Sequence, residues 1–106
     1  MKRGNIYWVN LDPTIGSEIK KKRPCVIIGA TPINQARRTV VIIPLSSSAK
    51  AHAPLTIAVK ALNKSSVVVC DQIRAVDKSR LIECVGSLSN NDLSKVEDGL
   101  RQILAL

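Results

Sequence analysis

Aromatic residues are almost missing: no phenylalanine, one tryptophan and one tyrosine stand among 106 residues. A binding surface built mainly on stacked rings is therefore excluded. Histidine is as scarce. His52 is the only one, which excludes a two-histidine metal centre and any mechanism that divides acid and base work between two imidazoles. It lies in a polar loop, KAHAP, and reads as a solvated loop residue. Three cysteines, Cys25, Cys70 and Cys84, cannot all pair within one chain, and they form no CxxC spacing. Each sits in or beside an apolar run, so all three are expected as buried, reduced thiols. The eight acids are scattered too widely for a magnesium cluster, and no glycine-rich phosphate loop occurs. No metal and no cofactor is expected. No apolar run approaches the length that spans a bilayer, and MKRGN lacks the apolar segment of a secretion signal. The expectation is a soluble, cytoplasmic chain with no membrane partner.

What the chain does have is positive charge. Sixteen Lys and Arg stand against eight Asp and Glu, leaving +8. The excess is lopsided: residues 1–53 hold nine cations and two acids, residues 54–106 seven cations and six acids. A field concentrated in one half suits a polyanionic partner, whether nucleic acid, membrane surface or acidic protein, although solubility alone also explains a basic chain. The length suits one domain, residues 1–106, with one hydrophobic core.

Short apolar runs with β-branched content follow one another: NIYWVNL, PCVIIG, TVVIIPL, LTIAV, SVVVC and LIECVGSL. Several are apolar on both faces, as in a tightly curled sheet, and Gly86 in the last run suggests a bulge or bend. LDPTIGSE, ATPINQARR, PLSSSAKAHAP, ALNKSS and AVDKSR read as turns between them. The end differs. Leu93, Val96, Leu100, Ile103 and Leu104 follow helical spacing. Ser89 with Asp92 resembles a capping box, and Leu88 with Leu93 a hydrophobic staple. The expected fold is α+β, mostly β: a small SH3-like half-open barrel with a C-terminal amphipathic helix.

With imidazole and metal set aside, phosphate chemistry run by arginine, hydroxyl and carboxylate remains. In EIKKKRPCVIIG, Pro24 biases Arg23 toward extended backbone and fixes where the strand begins. Lys20, Lys21 and Lys22 read as solvated charge. Arg23 admits two readings, solvated charge or a guanidinium fork held at a strand edge to meet phosphate oxygens. Ser46, Ser47 and Ser48 leave the 39–45 strand and can cap, turn or donate. Asp71 stands where another strand ends; it can pair with Arg74 or Arg23, or accept a proton. Asp77 reads as the cap of a short helical turn.

Taken in order, KRGNIYWVNLDPTIGSEIKKKRPCVII, VVIIPLSSS, VVVCDQIRAVDKSRL and the terminal helix resemble the MazF/PemK family of toxins from bacterial toxin–antitoxin systems. The resemblance covers essentially the whole chain. Its specific part is the ordered set RGNIYW, GSEIKKKRP and DQIRAVD. It implies the SH3-like, MazF/CcdB-like barrel and a homodimer. It implies an endoribonuclease that cuts single-stranded RNA, typically mRNA, at a short sequence without metal, leaving a 2′,3′-cyclic phosphate and a 5′-hydroxyl. It also implies a cognate antitoxin whose acidic segment occupies the RNA groove. By the same resemblance Arg23 stands at the catalytic arginine before proline, and Ser46 at the catalytic hydroxyl that many members supply as threonine. Asp71 matches an acid that is catalytic in some members only. Those members place a second arginine two residues ahead of it, where this chain has Val69, so the weight falls on Arg23 with Ser46. Asn5 and Asn10 replace acids common in relatives and remove negative charge. Lys20, Lys21, Lys22 and Arg74 are expected to bind the RNA backbone, with Gln72 beside them, and base edges rather than stacked rings to set sequence choice. Two alternatives belong to other classes: a gyrase-poisoning toxin of the same barrel, and a basic nucleic-acid-binding domain without catalysis.

Overall fold

The computed structural model describes residues 1–106. Seven strands and two helices follow as β1 (Asn5–Asn10), β2 (Lys22–Ile27), α1 (Thr31–Ala36), β3 (Thr39–Ser46), β4 (Thr56–Ala61), β5 (Lys64–Val69), β6 (Arg74–Asp77), β7 (Leu81–Ser87) and α2 (Asn90–Leu104). The strands pair antiparallel in the order β4-β5-β3-β2-β1-β7, with β6 added to β3. This is the curled, mostly β half-barrel with a terminal helix that the apolar pattern predicts. Neither helix is long and apolar enough to cross a membrane.

The sheet turns on β3. Residues 39–42 pair with β6, Leu45 and Ser46 pair with β5, and residues 42–44 meet residues 25–27 of β2 on the other edge. Side chains of a strand alternate between faces, and here both faces are covered. Val26, Ile43 and Leu45 enter a cluster of 12 buried residues that includes Val59, Val68, Val96 and Leu100 from β4, β5 and α2. Cys25, Ile27, Val40 and Ile42 enter a second cluster of 7, with Val9, Leu11 and Val76. Strands buried on both sides need no polar face, which is why PCVIIG and TVVIIPL show no alternation.

The start of α2 follows its sequence signals. Ser89 Oγ accepts from the Asp92 N–H at 3.1 Å, and Leu88 and Leu93 pack together in the larger cluster. The reciprocal half of the capping box is not made. Asp92 Oδ2 accepts instead from the Lys60 N–H at 3.0 Å, tying the helix start to the edge strand β4. Gly99 costs the helix about 1 kcal/mol against alanine. A Cβ there would stand 3.2 Å from Ile57 and from the Pro54 carbonyl oxygen, so glycine lets α2 lie close against β4. Ser89→Ala is expected to lower stability by about 0.5–2 kcal/mol, seen as a lower urea midpoint at unchanged slope.

Three local expectations are corrected. AVDKSR, read as a turn, carries most of β6: Val76 is buried in the second cluster and pairs with Val40, a long-range contact that outweighs local turn chemistry. Its Asp77 does cap the short turn Lys78–Arg80, accepting from the Ser79 N–H at 2.9 Å. Hydrogen bonds from Ser79 hold that carboxyl below its ordinary range. ATPINQARR contains α1, with Pro32 in its first turn and a buried Asn34 whose Nδ2 donates to Gly29 O at 2.8 Å. Cys84 is exposed, because β7 is an edge strand with β1 as its only neighbour. Cys25 and Cys70 are buried as expected, and burial pushes their thiols up to about 12 and about 11. The bulge suggested by Gly86 lies beside it, where the register on β1 steps from Gly86 to Cys84.

Candidate functional site

Arg23 stands second in β2, opposite Val9, with Pro24 opposite Trp8. Proline fixes φ at the strand start and leaves the preceding residue extended, so the Arg23 stem leaves a rigid edge. The residue is exposed, and its Nε donates to Lys20 O at 3.3 Å. The two terminal nitrogens carry no hydrogen bond or ion pair; the ion pairs of the chain join Arg3 to Glu97, Lys95 to Asp92 and Arg101 to Asp98. Two parallel donors thus face solvent, in the geometry that matches phosphate oxygens.

Lys20, Lys21 and Lys22 expose their side chains, yet the backbone beneath them is held. Lys21 has φ 69°, a left-handed conformation that costs a non-glycine residue roughly 1–2 kcal/mol. Its N–H donates to Asp12 Oδ1 at 3.0 Å, and its carbonyl accepts from the Leu11 N–H at 2.9 Å. Those two bonds hold the turn that brings the Lys20 carbonyl back to Arg23.

A cleft of about 120 Å³ opens beside Arg23, lined by Trp8, Lys22, Arg23, Ser47, Lys64 and Ser66 among others. Three cations and two hydroxyls share its walls with apolar Leu45, Ala61 and Leu62, and no carboxylate lines it. Ser46, at the end of β3, does not itself line the cleft, although its chain neighbours Leu45 and Ser47 do. Its Oγ accepts from the Ser48 N–H at 3.3 Å and the Ala49 N–H at 3.1 Å, and its carbonyl accepts from Ser66 Oγ at 3.2 Å. With its lone pairs engaged, the Ser46 hydroxyl has its hydrogen to donate, and Ser48 Oγ stands 3.4 Å away as an acceptor that a bound phosphate would replace.

Asp71, Gln72 and Arg74 gather elsewhere. With Ser17, Glu18 and Ile73 they line a separate cleft of about 380 Å³. The pairing of Asp71 with Arg74 or Arg23 does not form: Asp71 is exposed and belongs to none of the ion pairs. Arg74 Nη1 donates instead to Leu11 O at 3.4 Å, and the Gln72 amide is taken up by the β1–β2 loop. Lys20 and Lys21 line neither cleft. Ser47 belongs to the serine loop read as possible donors, whereas Trp8, Lys64 and Ser66 were not legible as site residues. Lys64 and Ser66 reach the cleft because Ser46 pairs with Val67 across β3 and β5, a register no local pattern announces, and Trp8 because β1 sets it opposite Pro24. No group of three His, Cys, Asp or Glu side chains converges anywhere in the chain.

Comparison with known proteins agrees with the fold. Residues 2–104 match the family described as PemK-like, MazF-like toxins of type II toxin–antitoxin systems. The endoribonuclease EndoA of Bacillus subtilis is 31% identical over 111 residues, spanning 100% of this chain and 96% of that protein. MazF (Form-I) from Deinococcus radiodurans superposes with a TM-score of 0.89 at 27% identity, over 100% of this chain and 97% of that one. An endoribonuclease from mycobacterial species, solved in complex with its cognate antitoxin, superposes with a TM-score of 0.84 at 20% identity, over 100% of this chain and 96% of that one, a likeness of fold alone. Matched by the family along almost its entire length, and by a full-length relative at this identity, the chain belongs to the PemK-like, MazF-like toxins of type II toxin–antitoxin systems.

Proposed function

We propose that residues 1–106 form one toxin domain that cleaves single-stranded RNA, mRNA above all, at short recurrent sequences in the cytoplasm. The observation that carries this reading is the guanidinium of Arg23, free of any ion pair, in a cleft that holds Lys22, Lys64, Ser47 and Ser66 among apolar walls and no carboxylate. Membership of the family and the endoribonuclease relative support it. RNA brings its own nucleophile, the 2′-hydroxyl. The protein must hold the strand for in-line attack and stabilise charge on the phosphorane. Arg23 donates both terminal nitrogens to the non-bridging oxygens. Ser46 adds a neutral hydrogen bond to the same phosphate. The 2′-oxygen forms a bond to phosphorus as the 5′-oxygen leaves with a proton, giving a 2′,3′-cyclic phosphate and a 5′-hydroxyl. Guanidinium is a poor proton acceptor, because it gives up its own proton only in strong base. The 2′-hydroxyl proton goes to an acceptor within hydrogen-bond reach of that oxygen, and because Asp71 lines the other cleft that acceptor is water.

Lys20, Lys21, Lys22, Lys64 and Arg74 contact the backbone in this reading. The same cations receive the acidic segment of a cognate antitoxin, and two copies of the chain form the active homodimer. Purified protein incubated with RNA in EDTA tests the function. Cuts at recurrent short sites with cyclic-phosphate and 5′-hydroxyl ends are expected. Intact RNA, with gyrase-dependent DNA breaks in its place, would overturn it. In the same assay Ser46→Ala is expected to cleave up to roughly tenfold more slowly, the worth of one neutral hydrogen bond, and Ser46→Thr at close to the wild-type rate. Equal rates for the alanine variant would remove Ser46 from the site.

A further inference from the structure

Residues 11–21 join β1 to β2, and the segment after β5 reaches across to fasten this loop. Arg74 donates to Leu11 O, and Arg80 donates to Asn10 O at 3.2 Å and to Asp12 O. Both hold the start of the loop. Its end is fastened by Gln72, whose Oε1 accepts from the Ile19 N–H at 2.7 Å and whose Nε2 donates to Ser17 O at 3.5 Å. One residue further on, the Lys20 carbonyl accepts from Arg23 Nε at 3.3 Å. A short relay therefore runs from the Gln72 carboxamide through the backbone of Ile19 and Lys20 to the guanidinium.

We propose that Gln72 is a positioning residue: it clamps residues 17–19 of the loop and so sets the Lys20 carbonyl that orients Arg23. One acceptor lone pair and one N–H of its amide are taken up by the loop backbone. The proposal rests on the assignment of Arg23 made under the proposed function. Gln72 shares no cleft with Arg23 and acts only through the loop. Ile19 also packs its side chain against the second cluster, so the loop keeps part of its order without the clamp.

Gln72→Leu removes both hydrogen bonds at similar size. Gln72→Glu keeps the acceptor for Ile19. Cleavage of a short RNA is measured for each, alone and combined with Arg23→Ala, together with amide exchange by NMR. For Gln72→Leu, kcat is expected to fall roughly tenfold, a fraction of what a misplaced catalytic group costs, with KM within about twofold of wild type. The Ile19 amide should exchange fast while Val26 and Ile43 stay protected, which shows that the variant is folded. Gln72→Glu should keep Ile19 protected and retain most of kcat. Added to Arg23→Ala, Gln72→Leu should cause no further loss. The proposal is overturned by an Ile19 amide still protected in Gln72→Leu, by a loss confined to KM, which would make Gln72 an RNA contact, or by additive losses in the double variant. Wild-type cleavage by Arg23→Ala alone is a different result, and it sinks the site assignment itself.

Discussion

Arg23→Ala is expected to cleave RNA ~10²–10³ more slowly than the wild-type chain, the cost of deleting one preorganised donor to a developing oxyanion. Its thermal midpoint should not move. The side chain is exposed, its one hydrogen bond is to the exposed Lys20 carbonyl, and its removal strands no buried polar group. A surface change of that kind stays within about 0.5 kcal/mol of neutral. Arg23→Lys should fall between the two, because a lysine restores the charge without the planar fork. Rates on a short RNA with melting curves on the same samples check both halves. A folded alanine variant that cleaves at the wild-type rate removes the guanidinium from the chemistry.

The second large effect is in binding. Lys20, Lys21, Lys22 and Arg23 stand together on the surface without an acidic partner. If these four neutralise four phosphates of a single strand, log affinity falls against log salt with a slope of about −2.8. Between about 50 and 200 mM salt the affinity for a non-cleavable 2′-O-methyl strand should then drop roughly 50-fold. Lys20→Ala should lower the slope by about 0.7 with little dependence on sequence. A slope near zero would show that the cations point away from the bound strand.

Much of the fold was legible because its signals are local. Ser89 needs only Asp92 to declare a helix start, and Pro24 only its neighbour to place a strand. The doubly apolar runs announced a sheet covered on both sides. The rest depends on partners far along the chain. RAVD becomes a strand only because Val76 meets Val40. Cys84 sits in an apolar run like Cys25 and Cys70, though one interrupted by Glu83, and the order of strands leaves it at an edge. At the site, the resemblance supplied Arg23 and Ser46, while Lys64 and Ser66 entered through the pairing of β3 with β5. For Gln72 no local pattern announced the bonds its amide makes with Ile19 and Ser17, more than fifty residues earlier.

The double duty of β3 has a consequence for how the chain comes apart. One strand supplies Ile43 and Leu45 to one cluster, and Val40 and Ile42 to the other. Neither half can melt while its counterpart survives, because the backbone that lines both would be pulled from both at once. Denaturation should be all-or-none, with the slowest-exchanging amides on this strand opening only when the entire molecule does. A protease would then meet an intact toxin or an unravelled one, and no stable remnant between them.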